Sequence, residues 1–480
     1  MMRKTTPLWF LLFTACGEYG LGDKGEPSVW SGDATAWDSE VEDPAKEGES
    51  LCDTEEPVVL YASPDDSNSM SSPMQAFVQT SNGTAPHSPV RTWEFFNYAT
   101  WDYPAADAGQ LDVDLQLAEG DEPGTYALQV GIRSEDIDPE ERAPMVLTFS
   151  VDQSGSMTGA PIEHMVDSLE VIAGQLRPGD IVSIVGWSNG QDVLLDGHTV
   201  VGPDDPLFLQ AIDRISTGGG TDLSGGLKAA YRITEDNYVP GRIHRVVLMS
   251  DGGANIGTTD AELIGEKAGN NDADGIYMIG VGTGTAHAYN DYLMNEVTDL
   301  GRGAAVFIPS REAAEEVFGD RFMETMAASA RDVQIRYDLP PGFSIDRFSG
   351  EELSTNPDEV APQHMAPNDA VVMYQHLSSC GEVDLDQSIA VTVTYFDGVT
   401  FEPRAAVAQA TLGELLDGPT DQLRKGAAVY TFAETLKHLQ GGDADSSKDA
   451  ARTALDEALA VLPDDPDLLR IQQSLDQLGL

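Results

Sequence analysis

Met145-Val146-Leu147-Thr148-Phe149-Ser150-Val151-Asp152-Gln153-Ser154-Gly155-Ser156 is the stretch on which the fold turns. Its first seven residues make a short apolar strand. The next five make a tight polar loop with short oxygen-bearing side chains at alternate positions, Asp152, Ser154 and Ser156, which can converge on one point. Pro161 then opens a helix carrying Ile162, Met165, Val166, Leu169, Ile172 and Leu176 on one face. Beyond it strands at 181–187 and 193–200, helices at 206–215 and 223–234 and a buried central strand at 243–250 alternate. A helix from 260, a strand at 275–281, a helix at 289–300, a strand at 304–308 and a last helix from 311 to about 330 complete the set. Strands alternating with amphipathic helices predict an α/β fold over residues 144–330, a doubly wound, mostly parallel sheet.

In such a sheet ligands bind in the crevice outside the carboxyl ends of the strands, where the strand order reverses. Two further loops are expected there, Ser216-Thr217-Gly218-Gly219-Gly220-Thr221-Asp222 and Ser250-Asp251-Gly252-Gly253, each with a hydroxyl or carboxylate beside glycines that admit close backbone approach. Hydroxyl and carboxylate oxygens, without cysteine or clustered histidine, suit a hard octahedral cation such as Mg²⁺ or Mn²⁺, with Ca²⁺ also admissible, and do not suit zinc.

Asp152-x-Ser154-x-Ser156, Thr221 and Asp251 resemble the metal-ion-dependent adhesion site of von Willebrand factor type A domains, and all five positions match. The resemblance implies that Ser154, Ser156 and Thr221 bind the metal directly, that Asp152 and Asp251 act partly through water, and that a Glu or Asp of a protein partner completes the octahedron. It also implies that the domain's last helix couples metal ligation to neighbouring domains. A wider resemblance runs to bacterial envelope proteins that carry a leading segment ahead of the type A domain and a β-plus-helical region behind it. Val90-Arg91, Glu94, Phe96-Asn97-Tyr98 and Tyr103-Pro104 look like the leading segment. Tyr289-Asn290-Asp291 with Leu293-Met294 and Gly301 looks like a late helix of those relatives.

Outside the α/β block, alternating runs at 111–117 and 126–132 predict a β-hairpin within a flanking segment at 76–143. Strand periodicity returns in a β-rich domain at 331–413. The hairpin is expected to pair with strands of that later domain, leaving the α/β domain inserted into a β-sandwich-like region. Residues 414–480 are expected to form a helical hairpin, with Val429, Phe432, Leu436 and Leu439 on one stripe and Ala451, Ala454, Leu455, Ala458 and Leu462 on the other.

At the start, Arg3 and Lys4 precede an apolar run at 7–13 that is too short to span a bilayer, the pattern of an export signal over 1–15. Phe13-Thr14-Ala15-Cys16 resembles the bacterial lipobox, which implies diacylation of Cys16, and Gly17 points to the outer membrane. Residues 16–75, rich in Gly, Ser, Pro and acidic residues, read as a solvated tether. In an exported protein Cys52 and Cys380 are free either to pair or to remain apart.

Across 480 residues, 81 acidic against 27 basic side chains give a net charge of −54, which repels nucleic acid and anionic lipid. After the start, no stretch reaches the roughly 18 consecutive apolar residues of a transmembrane helix, so membrane attachment is expected through the lipid alone. No P-loop, G-x-G-x-x-G, H-E-x-x-H or G-x-S-x-G motif occurs. Asn270-Asn271-Asp272-Ala273-Asp274-Gly275 starts like a calcium loop but has Val281 where a bidentate Glu is needed, so it reads as a polar connection. The expected function is partner binding through a divalent metal at the cell envelope, by a protein that is not an enzyme. The alternative is an assembly or chaperone-type component of an envelope complex.

Overall fold

Met145–Asp152 forms β4, buried from end to end, as a strand covered on both faces must be. The structure is a computed structural model that describes residues 56–64, 68–253, 275–286, 289–381, 383–442 and 447–480, all within the unit Val41–Leu480. The signal segment, Cys16, Cys52, most of the tether, the helix expected from Asp260 and the calcium-like loop up to Asp274 lie outside the described residues.

β5 (Ile181–Trp187) pairs in parallel with one side of β4 and β7 (Ile243–Ser250) with the other. The six-stranded order is β6-β5-β4-β7-β8-β9, with β6 (Gln191–Thr199) antiparallel and β8 (Tyr277–Thr283) and β9 (Ala305–Ile308) parallel. The order reverses at the β4–β7 pair. Helices α3 (Ala160–Gln175), α4 (Pro206–Ile212), α5 (Leu223–Asp236) and α6 (Asp291–Gly301) bury Met165, Leu169, Phe208, Leu227 and Met294 in one core with Phe149 and Val247 of the sheet.

The single last helix expected from 311 to about 330 is broken. A short helix α7 (Arg311–Glu315) passes through a wide π turn at Glu316–Asp320 into α8 (Phe322–Met326). Tertiary hydrogen bonds anchor this segment and its end. Arg321 donates to the carbonyls of Asn97 and Tyr98, each at 3.0 Å, and Arg245 takes the terminal carbonyls of Met326 and Ala327 at 3.3 and 3.2 Å.

The hairpin of β2 (Leu111–Glu119) and β3 (Thr125–Ser134) does pair with the later β region. β3 runs antiparallel to β14 (Ala370–Ser379) from Arg133 opposite Ala370 to Thr125 opposite Ser378. The sheet β11-β14-β3-β2 includes β11 (Phe343–Phe348), and it faces a second sheet in the order β12-β1-β10-β15-β16, with β13 (Gln363–Met365) also on β10. The strands of that sheet are β1 (Val58–Ser63), β10 (Ala330–Leu339), β12 (Glu352–Ser354), β15 (Ser388–Asp397) and β16 (Pro403–Thr411). Leu117, Leu128, Val130 and Ile132 meet Ile335, Tyr337, Val391 and Val393 in the core between them. The chain leaves this sandwich after Ser134 and returns at Ala330, so the α/β domain is an insertion.

Two boundaries need correction. The tether does not reach residue 75. Val58–Ser63 is β1, paired with β10 with Val58 opposite Leu339, because Val58-Val59-Leu60-Tyr61 is a β-forming run inside an acidic window. Ser71–Ser81 is a helix, α1, and with α2 (Thr92–Tyr98) it makes the leading segment, docked on β9 where Met70 N–H donates to the Ala305 carbonyl at 2.8 Å. The helical hairpin gains a third member. After the short α9 (Leu412–Leu416) come α10 (Asp421–Gln440), α11 (Lys448–Val461) and then α12 (Pro466–Leu478), started by Asp465 as N-cap with Pro466 at its first position. These helices share a core with the leading segment through Phe95, Phe432, Leu468 and Leu475.

Lys425, 1% exposed, fastens that core: its ammonium donates to the Thr100 carbonyl at 2.6 Å, to Asp465 at 2.7 Å and to Asp467 at 2.8 Å. Lys425→Ala leaves two carboxylates without their cation and is expected to lower unfolding stability by about 3 kcal/mol, measured by urea titration.

Candidate metal centre

Parallel register brings the loops after β4 and β7 together. Val151 lies opposite Met249, so Asp152 leaves one strand beside Ser250 and Asp251 leaving the other. Ser250 Oγ donates to Asp152 Oδ2 at 2.7 Å, and the Ser154 N–H donates to Asp152 Oδ1 at 2.8 Å, which fixes both carboxylate oxygens. Ser154 and Ser156 lie with their hydroxyl oxygens 3.0 Å apart, the spacing of two ligands on one centre. The third loop is stitched to the first by the Gly155 N–H on the Gly219 carbonyl at 3.3 Å and the Gly218 N–H on the Gln153 carbonyl at 2.7 Å. Asp222 closes that loop, its backbone N–H held by the Ser188 carbonyl and its side chain capping α5 at the Gly225 N–H.

The centre is graded from buried to open. Asp152, Ser154 and Asp251 are buried, while Ser156 and Thr221 are exposed on the outer side. Burial pushes the Asp152 carboxyl above the ordinary range, the Ser250 and Ser154 hydrogen bonds pull it back, and Asp251 adds to the rise. Among the described residues no arginine or lysine pairs with either Asp152 or Asp251. The two carboxylates thus face each other's charge without a basic partner, an arrangement to which a divalent cation would be complementary.

The donor set fits that cation: hydroxyls and carboxylates, with a free space beside them. A Cβ placed on Gly253 would lie 3.2 Å from Ser156 Oγ and 3.0 Å from Asp251 Oδ1, so glycine keeps open the space these two oxygens share. Ser154 and Ser156 are brought together directly, Asp152 and Asp251 flank them through the β4–β7 register, and Thr221 arrives on its stitched loop. Sequence reasoning placed Ser250 in its loop without its role as Asp152's hydrogen-bond donor. It named Asn290 in the late helix without its contact here, where its N–H donates to the Asp251 carbonyl at 3.1 Å. Cys380, just after β14, is disulfide-bonded, and its partner lies outside the described residues.

The fold and centre together define a class, and the comparisons bear on it. Residues 147–254 match the family model of the von Willebrand factor type A domain. The protein carries a von Willebrand factor type A domain, a fold of the protein-interaction and adhesion type. It is 26% identical over 269 residues to the uncharacterized protein YfbK of Escherichia coli (strain K12), an alignment covering 54% of this chain and 46% of that one. It is 25% identical over 235 residues to inter-alpha-trypsin inhibitor heavy chain H2 of Sus scrofa, covering 46% and 24%. The chain thus spans about half or less of the length of these relatives. Among solved structures, von Willebrand factor type A from Catenulispora acidiphila aligns at 16% identity with a TM-score of 0.48, covering 72% of this chain and 86% of that one.

Gly252 sits at φ +76°, and a Cβ there would meet the Cβ, O and N of Asn290 at 2.7, 2.8 and 2.9 Å. Gly252→Ala is expected to cost about 2 kcal/mol, seen as a lower urea midpoint with an unchanged slope.

Proposed function

We propose that this protein is an envelope lipoprotein whose type A domain grips a protein partner through a divalent cation. The observation that carries the reading is the arrangement at the ends of β4 and β7: a buried Asp152 and Asp251 without a basic counter-charge among the described residues, beside a buried Ser154 hydroxyl 3.0 Å from the exposed one of Ser156. Ser154, Ser156 and Thr221 would hold the metal, with Asp152 and Asp251 behind it. When bound, the cation supplies an electrophilic position that a partner's Glu or Asp carboxylate can fill, and it stays electrophilic because most of its protein ligands are neutral hydroxyls.

The chain's own residues do the rest. Ser250 and the Ser154 N–H fix the orientation of the Asp152 carboxylate beside the hydroxyl pair. The glycines at 218–220 and 252–253 keep the rim low enough for another protein surface to approach. Binding rather than chemistry suits the site, since no histidine or lysine stands at it as a proton carrier among the hydrogen-bonded neighbours described above. Attachment to the membrane rests on the basic start, the short apolar run and Cys16. Among the described residues no helix is long and apolar enough to cross a membrane.

The test is a crosslinked pull-down from envelope extract with the wild type in Mg²⁺, the wild type in chelator, and Asp152→Ala in Mg²⁺. A partner recovered only with the metal-loaded wild type is the expected result. Equal recovery in all three refutes a metal-dependent grip.

A further inference from the structure

A buried polar cluster lies just behind the metal loops, where the leading segment meets the start of α6. Arg91, in the turn before α2, reaches across 200 residues of sequence and clasps Asp291 with two guanidinium nitrogens, at 2.5 and 3.1 Å from its two carboxylate oxygens. The same guanidinium binds Glu94, which in turn accepts the Ser72 N–H at 2.6 Å. Ser71 and Gln75 of α1 add hydrogen bonds to Asp291 at 2.9 and 2.7 Å, and Ser71 also touches the Tyr289 hydroxyl at 3.4 Å. Arg91 is 11% exposed, Asp291 5% and Glu94 0%. Burial pushes the Asp291 carboxyl up, but Arg91, Ser71 and Gln75 outweigh it and hold it below the ordinary range, so it is charged and gripped.

Between the two gripped residues, Tyr289 and Asp291, stands Asn290. Its N–H holds the Asp251 carbonyl, its backbone lies against the Cα of Gly252, and its side chain caps α6 at the Leu293 N–H. Among the described residues the leading segment hydrogen-bonds to neither Asp152 nor the serines, yet it fixes the residues on either side of Asn290, on which the Asp251–Gly252 loop leans. A buried ion pair is poor evidence for stability, because its desolvation offsets its attraction. What a two-point clasp supplies is position.

We infer that Arg91 is a positioning residue of the metal centre: by clasping Asp291 it holds Asn290, and through Asn290 the Asp251–Gly252 loop, in place for the cation. The inference rests on the metal reading proposed above. It gives the leading segment a task at the site, so that undocking α1 and α2 would weaken metal binding without altering any ligand.

The test titrates Mn²⁺ into the full chain and follows the paramagnetic resonance of the free ion, with Asp152→Ala setting the background from the acidic surface. Arg91→Gln and Asp291→Asn should each weaken Mn²⁺ binding about tenfold, the scale of losses behind first ligands. In the metal-free protein the amide of Asn290 should exchange about tenfold faster in both variants. Arg142→Gln serves as the control, because it removes a buried pair with Asp180 at the start of β4, the opposite end of the sheet. It should lower Tm and leave Mn²⁺ affinity at the wild-type value. If Arg91→Gln does not fold, Asp291→Asn, which keeps the side chain's size, decides alone. Wild-type Mn²⁺ affinity and unchanged Asn290 exchange in the variants overturn the inference. A wild type that binds no more Mn²⁺ than Asp152→Ala overturns the metal reading, and the inference with it.

Discussion

The parallel pairing of β4 with β7 is the constraint on which the site depends. Side-by-side strands running in one direction must end at one level, and these two end in Asp152 and in Ser250-Asp251. Two carboxylates are thereby brought to a dry position without a basic neighbour, an arrangement that costs free energy unless hydrogen bonds and a cation offset it. Ser250 and the Ser154 N–H supply the hydrogen bonds. The exposed Ser156 and Thr221 supply the open face, with the Ser154 hydroxyl beside Ser156.

The sandwich meets the inserted domain at the other end of the sheet: Arg331 of β10 lies 5.1 Å over the ring of Tyr277, the first residue of β8, and His364 meets the same ring at 4.3 Å. Both crossings of the chain between sandwich and insertion sit near this end, where Ser329 Oγ donates to Glu135 at 2.9 Å. Among the described residues the leading segment climbs towards the metal loops. It does so behind them, through Arg91 and Asp291, rather than over them.

Much of this was legible in the sequence, for a physical reason. The site's residues stand at the ends of strands, and strand ends follow from local pattern, so Asp152, Ser154, Ser156 and Asp251 could be placed by reading apolar runs. The pairing of 125–134 with a later strand was also within reach, because an alternating hairpin needs a partner to bury its second face. What escaped had more than one cause. β1 vanished into an acidic stretch, since composition averages over the six residues that pair with β10. The last helix carries a helical pattern throughout, yet its backbone widens into a π turn at Glu316–Asp320 and stops at Met326, and local pattern marks neither. Asp465-Pro466 with Leu468, Ile471 and Leu475 was a readable helix start that a two-helix expectation passed over. The clasp of Arg91 on Asp291 leaves no local trace at all, for nothing in either segment shows that the other lies beside it.

The central claim is that one cation occupies the crevice between β4 and β7, held by chain hydroxyls. Anomalous scattering from crystals of the protein grown in Mn²⁺ tests it most directly. The account predicts a single strong peak about 2.1 Å from the hydroxyl oxygens of Ser154, Ser156 and Thr221, with Asp152 and Asp251 behind it. Peaks confined to the exposed acidic clusters, with none between the two strand ends, would contradict it.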